Sequence, residues 1–144
     1  MIRKTLFILL LSFSCSFVMS GELDRTLVVV INHDSELAPL NAKELRKLYL
    51  GLKVKKNGEH LKPVQNYSDD VLHEVFLQKI MFMTSRTYQR QLKLRTIRKG
   101  IKPPVEFSSN KSIVELLMNN KHSVAYMWKA EAERISDIRV LQSF

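Results

Sequence analysis

The chain has 144 residues, a net charge of +9 and a single cysteine. That length is one domain's worth, enough to bury a core without staples, and one cysteine excludes an intrachain disulfide or a cysteine metal cluster. The basic excess points to anionic partners: small oxyanions, anionic lipid headgroups, acidic proteins or nucleic acid.

Arg3 and Lys4 form a basic head, followed by an apolar run over 6–11 and a compact exit at Val18, Met19 and Ser20 before Gly21. This order is the pattern of a secretory signal. Residues 1–20 are therefore expected to be a signal peptide, leaving 21–144 as one exported, periplasmic domain with about seven excess positive charges. Ser12, Ser14, Ser16 and Ser20 interrupt the run, whereas a permanent anchor needs roughly 20 predominantly apolar residues. Lipid attachment at Cys15 is the alternative, although Ser12 stands where a lipoprotein box has leucine. Export makes nucleic acid an unlikely partner, and the basic residues lack interleaved aromatics for base stacking.

Leu27, Val28, Val29, Val30 and Ile31 read as a buried strand, too short for a helix and apolar on both faces. The chain turns through Asn32, His33, Asp34 and Ser35. Asn41 and Glu44 form a capping box, with Leu40 and Leu45 at the staple positions. Leu45, Leu48 and Tyr49 give that helix an inward face, and Gly51 ends it. A polar turn is expected over 55–59 and a second strand over 61–65. Ser68 or Asp69 caps the next helix, which carries Leu72, Val75, Phe76, Ile80 and Met83 at helical spacing. Thr84 and Ser85 restart a helix through Tyr88, Leu92 and Ile97 as far as Gly100.

Pro103 and Pro104 force an extended segment into Val105, Glu106 and Phe107. Ser108, Ser109 and Asn110 are cap candidates for a helix bearing Ile113, Val114, Leu116 and Leu117, with Ser112 and Glu115 as a competing box. Strands follow over 123–127 and 138–141, with a short helix over 128–135 between them. The alternation predicts a single α/β domain around a mixed or largely parallel sheet flanked by helices.

Helix N-termini carry unpaired N–H groups and partial positive charge, so they receive anions. Two of these helix starts bear polar side chains: Tyr67, Ser68 and Asp69, and Ser108, Ser109 and Asn110. If they meet at the C-terminal tip of the first strand, beside Asn32 and His33, they outline a crevice where α/β sheets bind ligands. Plain helix capping is the alternative role for each. Tyr126 and Trp128 read as core residues first and as pocket walls second. His33, His60, His73 and His122 lack metal-ligand spacing, and no nucleophile elbow, phosphate loop or dinucleotide motif is present. No enzyme, metal or cofactor is therefore expected. Arg86, Arg90, Arg95 and Arg98, with Lys93 and Lys99, make the third helix strongly basic. Beyond a plain solvated face, it suits docking on an acidic protein, an envelope complex or anionic lipid headgroups.

The order of several short stretches resembles the short phosphate-transporter substrate-binding-like proteins, relatives of the periplasmic phosphate-binding protein. They are the strand ending in Asn32 with the helix closing on Leu48, Tyr49, Leu50 and Gly51, and the Leu61-to-Val64 strand leading to Val75, Phe76, Leu77, Gln78, Lys79 and Ile80. Gly100, Ile101, Lys102, Pro103 and Pro104 follow, and then the segment from Ser108 to Met127. The resemblance covers nearly all of 21–144. It implies a periplasmic-binding-protein-like domain that binds phosphate or a related oxyanion without catalysis, for transport or sensing, with an ABC transporter as partner. The chain departs from the family at the Ser/Gly/Thr-rich ligand turn, where Gln65, Asn66, Tyr67, Ser68, Asp69 and Asp70 retain only Ser68 as a hydroxyl donor. An accessory envelope protein that keeps the fold and docks through its basic helix is the alternative function.

Overall fold

β1 (Leu27–Asn32) is buried at all six positions because strands cover both its edges and helices both its faces. In this computed structural model, which describes residues 25–144, β1 lies between β6 (Ser123–Trp128) and β7 (Ile138–Ser143). Beyond β6 come β4 (Lys62–Asn66) and then β5 (Val105–Phe107). The strand β4 is parallel to β5 and β6, whereas β1 is antiparallel to β6 and β7. Within this sheet β1 alone runs against the others. The mixed sheet with flanking helices is the α/β architecture expected of the alternating pattern. The signal segment, its cleavage point and Cys15 lie outside the described residues.

Strand pleating sends alternate side chains to opposite faces, and this divides the interior into two cores. Leu27, Val29 and Ile31 join Val124 and Tyr126 beneath α1 (Ala42–Tyr49), α2 (Asp70–Phe76) and α3 (Ser85–Lys99). Val28 and Val30 join Ala125 and Met127 beneath α4 (Asn110–Asn119) and α5 (Lys129–Ala132).

Local chemistry sets the helix limits. Asn41 accepts from the Glu44 amide while Glu44 accepts from the Asn41 amide, both at 2.9 Å. Gly51 has φ +79°, and a Cβ there would lie 2.5 Å from the Ile101 side chain, so both conformation and space select glycine. The expected turn over 55–59 is in fact a hairpin of β2 (Lys55–Lys56) and β3 (Glu59–His60). Asn57 and Gly58, both at positive φ, form its two-residue bend. A 2.7 Å ion pair from Lys56 to Glu44 holds the hairpin to α1.

Asp69, rather than Ser68, is the α2 cap. This helix continues into a π-helical turn (Leu77–Met81) and stops at Phe82, which is left-handed and 70% exposed. Thr84 and Gly100 bound α3 as expected, and Tyr88 and Leu92 are buried, but Ile97 is 70% exposed. Ile97 lies nine residues beyond Tyr88, half a revolution around the helix at 3.6 residues per turn. Ser109 caps α4 through the Ser112 amide, so Ser112 is already inside the first turn and its competing box is not used.

Candidate functional site

Because β4, β5 and β6 share a direction, their C-terminal ends form one edge, and the helices leaving β4 and β5 both begin there. Asn66, the fully buried last residue of β4, joins them. Its Nδ2 donates to the Tyr126 carbonyl and to Asn110 Oδ1, each at 2.9 Å, and its Oδ1 accepts from the Ser68 amide at 2.9 Å. The Ser68 hydroxyl donates to the same Asn110 oxygen at 3.2 Å. Asn110 Nδ2 then donates to Glu131 at 2.9 Å. The two predicted helix starts are thus brought together, with α5 added.

Asp69 gives this edge its electrostatic character. One carboxylate oxygen accepts the Val71 and Leu72 amides at 2.8 and 3.2 Å, and the other accepts the Trp128 indole N–H at 2.9 Å. The indole first, and the two amides after it, hold the Asp69 carboxyl below the usual carboxylate range against the opposing effect of burial. A chain carboxylate therefore already occupies the position where the α2 N-terminus would receive an anion. Beside it, Arg25, Trp128, Glu131 and Arg134 help to line a cleft of ≈ 300 Å³. The α4 start is less occupied. Ser109 takes the Ser112 amide, whereas the amides of Asn110 and Lys111, first in the helix, have no partner of their own among the described residues.

Tyr126 takes the expected core role, and its place among the candidate ligand residues is the first correction: it lies beneath the site. It is fully buried, its ring stacks on Phe76 with centroids 3.9 Å apart, and its hydroxyl donates to Gln65 Oε1 at 2.9 Å. Gln65 also bonds the Tyr88 hydroxyl, which donates to the Tyr49 carbonyl at 2.6 Å. His73 Nδ1 is 2.9 Å from the Tyr126 oxygen. With the tyrosine proton given to Gln65, Nδ1 is the imidazole donor and Nε2 is buried without a partner among the described residues. Burial pushes His73 below its ordinary value against the pull of Glu74 and Asp70, and raises Tyr49, Tyr88 and Tyr126. Tyr67 closes this cluster from outside, its ring centroid 4.4 Å from that of His73.

Asn32 and His33 are the second correction. They sit at the opposite end of the sheet, because β1 is the reversed strand and its C-terminal tip points away from the shared edge. Asn32 Nδ2 donates to the Leu117 and Met118 carbonyls at 2.8 and 3.1 Å, serving the last turn of α4 rather than its first. His33 is exposed, its amide bonded to the Asp137 carbonyl. Ser108 is exposed one residue before the Ser109 cap.

Arg86, Arg90, Arg95 and Arg98 lie on α3, whose Gln89 donates to the Tyr67 hydroxyl at 3.1 Å, but none of the four forms an ion pair or side-chain hydrogen bond among the described residues. Sequence reasoning missed Asn66 and Glu131. A polar residue ending a strand just before a polar turn was the available signal for Asn66. Nothing local marks Glu131, whose part depends on α5 folding back over the edge. Among the described residues no group of three His, Cys, Asp or Glu side chains is placed to hold a metal, and no helix is long and apolar enough to cross a membrane.

Neither a protein-family model nor a curated protein matches the chain by sequence. Solved structures do resemble it. The ABC-type phosphate transport receptor from Vibrio cholerae superposes with a TM-score of 0.60 at 15% identity, over 81% of this chain and 45% of the receptor. PstS from Borrelia burgdorferi gives a TM-score of 0.59 at 14% identity, over 81% of this chain and 46% of that protein. The chain therefore spans less than half the length of either, and its fold is that of a phosphate-binding-protein-like domain.

Proposed function

We propose that this chain is an exported, non-catalytic binding domain, with phosphate or a related oxyanion as its ligand at the shared edge of β4, β5 and β6, serving transport or sensing. The observation carrying this reading is the junction of two helix starts through Asn66, Ser68 and Asn110, on a fold shared with phosphate receptors. The donors on offer are the α4 amides of Asn110 and Lys111 and the Ser109 hydroxyl, which accepts from the Ser112 amide and keeps its own proton free to donate. Each suits an anionic oxygen.

Asp69 and Glu131 set the selectivity. An ionised carboxylate repels a fully deprotonated anion but accepts a hydrogen bond from an acidic O–H. Phosphate carries such a proton near neutral pH, and sulfate does not. Phosphate is accordingly expected to bind in preference to sulfate, weakly in the native chain and more tightly in Asp69→Asn, which removes one like charge. Calorimetric titration is the test. Saturable heat with phosphate, reduced in Asn110→Ala, is the expected result. Absence of heat at millimolar phosphate in both the native chain and Asp69→Asn refutes the proposal.

A further inference from the structure

The charge of this molecule is concentrated in one place. Residues 75–105 carry eight cations and no carboxylate, against a whole-chain net charge of +9. Six of those cations are on α3, and the helix is anchored to the core only by buried Tyr88 and Leu92. Arg86, Arg90 and Lys93 project from the far side, where Leu94 is 40% and Ile97 70% exposed. One flank is a shallow groove of ≈ 480 Å³ in which Arg90, Arg95, Arg98 and Lys99 surround Leu94. Phe82, also 70% exposed, stands just before the helix.

This combination selects among anionic partners. Nucleic acid rewards cations but gives nothing for exposed Leu94 and Ile97; the only aromatic on α3 itself, Tyr88, is buried, and the exposed Phe82 ring before it is already faced by the Arg46 guanidinium. A bilayer interface accepts both kinds of group, since aliphatic side chains enter the headgroup–acyl boundary while long basic side chains reach the phosphates. Nor does the fold require most of the charge: α3 has no acid, its arginines form no ion pair among the described residues, and only Arg98 and Lys99, in the last turn, are favoured by the helix dipole.

We propose that α3 is a membrane-docking face that lays the domain on an anionic phospholipid bilayer through Arg86, Arg90, Lys93 and Arg98, with Leu94 and Ile97 inserted between headgroups. None of these six residues belongs to the oxyanion edge, which α3 meets through Gln89 and Tyr67, and the two proposals stand or fall independently.

Vesicle co-sedimentation tests it with the chain from Gly21, which contains both cores as far as the described residues define them and omits the N-terminal apolar run. Binding is expected to vesicles of phosphatidylglycerol and phosphatidylcholine, but not to phosphatidylcholine alone, and to weaken with added salt. Each basic contact near a charged surface changes the partition coefficient by about fivefold. The Arg86→Glu, Arg90→Glu, Lys93→Glu triple variant should therefore lose roughly a hundredfold or more, and Leu94→Ser with Ile97→Ser should weaken binding without changing its salt dependence. Circular dichroism and thermal melting confirm that these surface variants fold. Equal partition onto neutral vesicles, undiminished binding of the folded triple variant, or binding to duplex DNA with none to anionic vesicles would each overturn the assignment.

Discussion

Two helices on the same face of the sheet, α1 and α3, are built on opposite terms. In eight residues α1 buries Leu45, Leu48 and Tyr49 and carries a full capping box. With fifteen residues α3 buries only Tyr88 and Leu92. Most helical stability comes from packing an apolar face rather than from length. The short helix is thus an integral part of the core, while the long one is an outrigger that buries two side chains and adds surface hydrogen bonds from Gln89 and Thr96. The contrast teaches that most of the α3 surface is not needed for folding, and is available for something else.

The largest expected effect is on α1. Leu45→Ala leaves a cavity in the first core and should cost about 2–5 kcal/mol in denaturant unfolding; a loss near zero would put α1 on the same footing as α3. Next comes the junction between the two helices. Tyr49 of α1 meets Phe76 with ring centroids 4.7 Å apart, Phe76 meets His73 at 6.3 Å, and His73 meets Tyr88 of α3 at 6.5 Å. The folded-state pKa of His73 is depressed below its unfolded value near 6.5. The unfolded chain therefore takes up that proton first as pH falls, so this contribution to stability is complete above about pH 6.5 and is lost progressively below it. Urea unfolding at pH 7.5 and 5.5 reads the slope, and His73→Gln should flatten it. The smallest effect sharpens the comparison from the other side: Arg90→Ala should leave stability within about 0.5 kcal/mol. A larger loss would show that the α3 cations have a structural duty.

How much of this was legible depended on range. The Asn41–Glu44 box, the Thr84 cap and the Gly51 and Gly100 stops were readable because their capping partners lie within a few residues, although the Ile101 contact that also selects glycine at 51 was not. The burial of β1 was readable from its unbroken apolar run. The position of Ile97 was misread despite being local, because its distance from Tyr88 puts it on the opposite face. The ligand edge was half legible: Ser68, Ser109 and Asn110 do converge, but Asn66 organises them through contacts 44 and 60 residues away in sequence. Asp69 was legible as one of two cap candidates, because its amide partners are local, but the Trp128 indole that holds its second oxygen was not.

By itself, then, the sequence determined the kinds and limits of the elements and the alternation that makes an α/β layer, since periodicity and capping act over one or two turns of chain. Tertiary structure alone decided that β1 runs against its neighbours, and with it which end of the sheet gathers the polar helix starts. Hydrogen bonding can satisfy a strand in either direction, so a buried apolar run carries no record of its orientation. That choice is made by the whole set of distant contacts, and it separated Asn32 and His33 from the residues they were expected to join.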